Sequence, residues 1–93
     1  MQWTWDLNKA DENRRKHGVS FELAAWVFED PGHLTQEDPT PHEQRYRTLG
    51  LVGDIVLFVV HTWPDSDDTD GEGRIISARK ATPYERRNYH ENG

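Results

Sequence analysis

With 93 residues, 33% of them apolar, and no cysteine, the chain has the length of one domain with a thin core, and neither a disulfide framework nor a thiolate site is open to it. The net charge of −6 opposes phosphate binding by the chain as a whole, and no run approaches the ~18 apolar residues of a membrane span. The start Met1-Gln2-Trp3-Thr4-Trp5-Asp6 has neither the charged nor the apolar part of a secretory signal, so a cytoplasmic protein is expected.

Residues 2–5 are a short aromatic and β-branched run suited to an edge strand. Asp6 reads as an N-cap, Leu7–His17 as the helix it opens, and Gly18 as its left-handed stop. Leu7, Ala10, Arg14 and His17 share one side, so only the N-terminal half of that helix carries an apolar stripe. Ser20 caps a second helix over 21–29. In it Phe21, Ala24, Ala25 and Phe28 recur at helical spacing, with Leu23 and Val27 widening the stripe. Asp30-Pro31-Gly32 ends that helix.

A polar connection over 33–42 has room for a short strand at 33–35. Residues 43–49 read as a strand with Arg45 and Arg47 on one side and Tyr46 and Thr48 on the other, and 50–54 as a turn. The run Ile-Val-Leu-Phe-Val-Val-His-Thr-Trp over 55–63 predicts a central strand covered on both faces. An acidic loop spans 64–73, and 74–80 is the last strand. Thr82-Pro83-Tyr84-Glu85 is a capping box with proline at the first helical position, opening a helix over 83–90. The expected fold is α+β, an antiparallel sheet of three to five strands with two N-terminal helices packed on one face and a C-terminal helix. The other face is free to carry Arg and Lys.

Four Trp, three Tyr and three Phe can supply core area, since each aromatic buries ~150–250 Å²; a partner covering part of the surface is the other route. Charge is unevenly spread. Residues 74–93 hold Arg74, Arg79, Lys80, Arg86 and Arg87 against Glu85 and Glu91, a net +3 that leaves −9 for the rest, much of it in 29–43 and 65–72. Acid on loops and base on regular structure leave room for a local basic groove. No His-x-x-x-His or His-Glu-x-x-His spacing lies on either N-terminal helix. The run Asp68-x-Asp70-x-Glu72 imitates half a calcium loop but puts Arg79 where a bidentate glutamate belongs. No metal or other cofactor is expected, and there is no phosphate-cradling glycine loop or nucleophilic serine setting.

Several motifs together resemble the BrnT toxin family. At the start these are Trp5-Asp6, Lys9-Ala10, Asn13, Lys16-His17-Gly18-Val19-Ser20-Phe21-Glu22, Val27-Phe28 and Asp30-Pro31. Arg45-Tyr46, Gly50 and Leu57-Phe58-Val59-Val60 follow in the middle. The close is Arg74-Ile75-Ile76-Ser77-Ala78-Arg79-Lys80-Ala81-Thr82, Glu85-Arg86 and Tyr89. The resemblance runs from residue 3 to about residue 90, and the loop 64–73 is long and acidic beside that family. It implies a RelE-like fold and a single toxin domain over 1–93 with ribonuclease activity that blocks translation. It also implies neutralisation by a BrnA antitoxin, a ribbon-helix-helix DNA binder, so that the toxin meets DNA only through its partner.

Metal-free RNA cleavage needs a base for the 2′-hydroxyl proton, cations for the pentavalent phosphorane and an acid for the departing 5′-oxygen. Arginine suits the second task, because its planar fork grips phosphate oxygens and stays charged. Arg79 and Arg45, on predicted strands and inside the family pattern, are the expected catalytic cations. Arg47, Lys80 and Arg86 are the expected RNA-binding ones; Arg47 and Lys80 also read as solvated charge, and Arg86 as a partner for the antitoxin or for nearby acidic residues. His17 is a candidate proton carrier or a helix-end histidine packed beneath the next helix. Tyr89 is a base-stacking or phosphate-orienting residue, as in some RelE-like toxins, or a core aromatic. Glu43 is a base or merely solvated, and His61 reads as packing. The alternative class is a non-catalytic module that captures an antitoxin or another protein.

Overall fold

Each helix begins at the cap its sequence supplies. In the computed structural model, which describes residues 2–39, 41, 43–63 and 72–92, the Asp6 carboxylate accepts from the amides of Asn8 (2.8 Å) and Lys9 (3.1 Å) and opens α1 (Leu7–His17). Gly18 closes α1 at φ 73°, a conformation that costs glycine little. Ser20 Oγ accepts from Leu23 N at 3.1 Å and starts α2 (Phe21–Ala24). The stretch expected to continue as α-helix tightens into a 3₁₀ turn over Ala25–Glu29. There Val27 closes on the backbone of Gly50, where a Cβ would stand 2.5 Å from the Val27 Cβ and 2.9 Å from its carbonyl oxygen. Thr82 and Glu85 exchange the two bonds of the capping box, and α3 runs Pro83–Asn92.

The strands are β1 (Gln2–Thr4), β2 (Leu34–Asp38), β3 (Arg45–Val52), β4 (Ile55–His61) and β5 (Glu72–Lys80), in the order β1-β5-β4-β3-β2. The β2–β5 part is antiparallel, while β1 lies parallel to β5 and makes the sheet mixed. β4 is central, as its apolar run requires. β3 extends into the expected turn as far as Val52, because Gly53 (φ 64°) and Asp54 suffice for the hairpin. β2 is longer than expected and begins one residue later. Of the acidic loop 64–73, residues 64–71 lie outside the described residues and the last two belong to β5. Among the described residues no helix is long and apolar enough to cross a membrane.

Alternation along the strands sorts their side chains between two faces. One face, with Leu57, Val59, Ile75 and Ala78, packs against Val19, Phe21, Ala24 and Val27 beneath α1 and α2. Asn13 fastens α1 there: its Nδ2 donates to the carbonyls of Ala78 (2.8 Å) and Val19 (3.0 Å), and its Oδ1 accepts from Ala78 N (3.1 Å). Among the described residues, the opposite face is covered only at one end, where Tyr89 of α3 packs with Leu49 and Val56, flanked by Leu51, Phe58 and Ala81. The pairing shifts between Val60 and His61, with Val60 opposite Ser77 and His61 opposite Ile75. This bulge keeps Ile75 inside while turning Arg74 to the uncovered face.

Candidate functional site

Four arginines project from the uncovered face: Arg45 and Arg47 on β3, Arg74 and Arg79 on β5. Glu43, just before β3, joins two of them, accepting from Arg74 Nη2 at 2.7 Å and Arg45 Nε at 3.0 Å. Those bonds, Arg74 first, hold its carboxyl below the usual carboxylate range. Arg79 makes a two-pronged bond to Glu85 at 2.7 and 3.0 Å, and its guanidinium lies 4.1 Å from the centre of the Phe58 ring. Glu85 is thus both the cap of α3 and the anchor of Arg79, and the arginine's bonds keep its pKa low. Arg47 is exposed and, among the described residues, has no ion-pair partner.

Between α3 and the strands lies an open concavity of about 300 Å³. Leu34, Leu49 and Phe58 form its apolar floor. Arg47 and Gln36 line one side, and Arg79, Glu85, Tyr84 and Asn88 the other. A free cation, an arginine held in fixed orientation, carboxamides and an apolar bed suit an anionic group attached to a flat ring.

Of the residues singled out from sequence, the structure brings Arg47 and Arg79 into this concavity, with Arg45 on the same face beside Glu43. Lys80 is exposed and alternates to the other side of β5. Arg86 is exposed on α3 and lines no part of the concavity. His17 ends α1, on the far side of the sheet. Tyr89 is buried, its hydroxyl donating to Asp30 Oδ2 at 2.5 Å. That bond, with burial, pushes its pKa up to about 12. Burial alone would raise Asp30, but bonds from Tyr89, Leu51 and Gly32 outweigh it and leave the carboxyl low. His61 is fully buried, its Nδ1 donating to Thr62 O (2.9 Å) and its Nε2 accepting from Thr48 Oγ1 (2.7 Å), and burial pushes its pKa down to about 4.

Sequence reasoning missed Tyr84, Asn88, Gln36, Phe58 and the pairing role of Glu85. Tyr84 and Asn88 stand four apart on α3, a spacing that was available to be read. Gln36 gave no signal, because the strand carrying it was not expected to extend so far.

The comparisons with known proteins bear on this arrangement. No curated protein matches the chain. A family model does, that of BrnT, described as the ribonuclease toxin of a type II toxin–antitoxin system, over residues 5–85. The match takes in β2 to β5, all four arginines and Glu85, and the five-stranded α+β architecture is compatible with a RelE-like toxin fold. The chain belongs to the BrnT family of type II toxin–antitoxin ribonuclease toxins.

Proposed function

We propose that this chain is a metal-independent endoribonuclease, one toxin domain over residues 1–93, that cleaves RNA on the open sheet face in the cytoplasm and thereby inhibits translation. A BrnA-like ribbon-helix-helix antitoxin neutralises it, and DNA is met only through that antitoxin. One observation carries the reading: Arg47 and Arg79, from strands on either side of central β4, line the same open concavity. Arg47 offers its fork to a phosphate. Arg79, oriented by Glu85 and Phe58, stabilises the charge that builds on the phosphorane. Arg45 and Arg74 extend the track for neighbouring phosphates, while Lys80 and Arg86 contribute longer-range attraction. His17 and Tyr89 stand outside the concavity and are given no part in phosphate binding.

The binding-module alternative draws on the carboxylates that already occupy Arg45, Arg74 and Arg79. Incubation of purified protein with RNA in the presence of EDTA separates the two readings. Cleavage is expected, with Arg47→Ala and Arg79→Ala each lowering its rate about 100-fold while circular dichroism is unchanged. Full cleavage by both variants would overturn the site, and RNA left intact and unbound by the wild type would select the protein-binding module. Co-expression of a neighbouring antitoxin gene should relieve the growth arrest caused by the toxin alone.

A further inference from the structure

Tyr84 is 75% exposed at the edge of an apolar floor formed by Leu34, Leu49 and Phe58. An aromatic beside an apolar bed is a stacking platform for a base that has left its own stack. The polar groups around the same floor are not balanced between donors and acceptors. Asn88 Oδ1 accepts from Asn92 Nδ2 at 2.7 Å, which takes up one of its two lone pairs, while its amino group has no partner among the described residues. Glu85, the acceptor in the lining, is taken up by Thr82 N and both prongs of Arg79. Gln36 carries a carboxamide with no partner among the described residues and supplies one donor and one acceptor end. With the Arg47 fork, unpaired among the described residues, in the same lining, the hydrogen bonds left to offer are mostly donated.

From this imbalance we infer that the concavity is a nucleobase pocket selecting a keto base, guanine or uracil, with Tyr84, Asn88 and Gln36 as its specificity-determining residues. The inference rests on the RNA-cleaving reading above. Guanine presents O6 and N7, and uracil O4, to the Asn88 amino group and the Arg47 fork. At that same edge adenine and cytosine carry an exocyclic amino group, which sets donor against donor and leaves only their remaining ring acceptors to be met. Arg47 beside the bed holds the phosphate of the same nucleotide, so base and backbone are fixed together.

The test uses 2′-O-methyl pentanucleotides, which lack the attacking hydroxyl, with cytosine at every position except a varied centre. The guanine- or uracil-centred ligand should bind about tenfold more tightly than the adenine- or cytosine-centred ones, a difference of about 1.4 kcal/mol; the two keto ligands tell which base it is. Tyr84→Ala should weaken all four about tenfold. Asn88→Ala with Gln36→Ala should shrink the preference below about twofold, and Arg15→Ala on α1 should leave it intact. Equal binding of the four ligands, or a preference that survives the Asn88/Gln36 double variant with its fold unchanged, overturns the pocket. Because the ligands cannot be cut, a keto preference in a protein that leaves ordinary RNA intact would sink the nuclease reading alone. Cleavage without any base preference would sink the pocket alone.

Discussion

His61 and Arg79 sit on adjacent strands, each fixed by hydrogen bonds and an aromatic ring, yet the two faces of the sheet treat them oppositely. On the closed face His61 is enclosed by Trp3, Phe28, Tyr46 and Trp63, and Thr35 bonds to the Thr48 hydroxyl that meets the imidazole. Its neutral form is the only one that burial tolerates cheaply. On the open face Arg79 keeps its charge, a carboxylate on one side, a ring beneath and water within reach. Depth decides the role: the closed face converts titratable groups into structure, and the open face leaves them available for ligands.

The comparison is broken most severely from the closed side. Phe21→Ala removes a fully buried ring from beneath the sheet and should cost about 3–5 kcal/mol, read as a fall in urea midpoint. Next comes acid. His61 has its folded-state pKa pushed from 6.5 to about 4, so the stability of its neutral form is complete above pH 6.5 and is lost as pH falls through 4. The loss is roughly 3 kcal/mol over that window, sharpened by nearby His33. His61→Gln should flatten it. Losses from Asp30, Glu43 and Glu85 fall lower, since their pKa values are depressed below 3.8 for the aspartate and 4.5 for the glutamates.

Tyr89→Phe should cost about 1–2 kcal/mol by leaving Asp30 one donor short. The wild type should also shed that contribution in base: a phenol raised from 10.0 to about 12 stabilises the fold fully below pH 10 and ceases to as pH passes 12. Thermal melts of both proteins from pH 9 to 12 check this, and parallel curves would contradict it. The smallest effect belongs to Arg15→Ala. Its pair with Asp11 spans 2.9 Å but is largely exposed, so stability should change by less than about 0.5 kcal/mol.

Local chemistry was legible in the sequence where it acts over a few residues. Asp6, Gly18, Ser20 and the Thr82/Glu85 box all do in space what their positions suggest. The shared side of Arg45 and Arg47 followed from strand alternation, and the central place of β4 from its unbroken apolar run. What escaped depends on contacts between distant segments. No local pattern announces that Asp30 serves Leu51 and Tyr89 together, or that Val27 presses on Gly50. Tyr89 could not be told from Tyr84 by composition. Five residues apart, they turn to different sides of α3, one into the core and one to the rim of the concavity.

The most direct test of the account is the salt dependence of binding to single-stranded RNA. If the open-face guanidinium groups neutralise about three phosphates, log affinity should fall against log salt with a slope near about −2, and Arg47→Gln should make it shallower by about 0.7. Arg15→Gln, on the opposite side of the molecule, should leave it unchanged. A slope indifferent to Arg47, or one that responds equally to Arg15, would contradict the placement of the RNA backbone on this face.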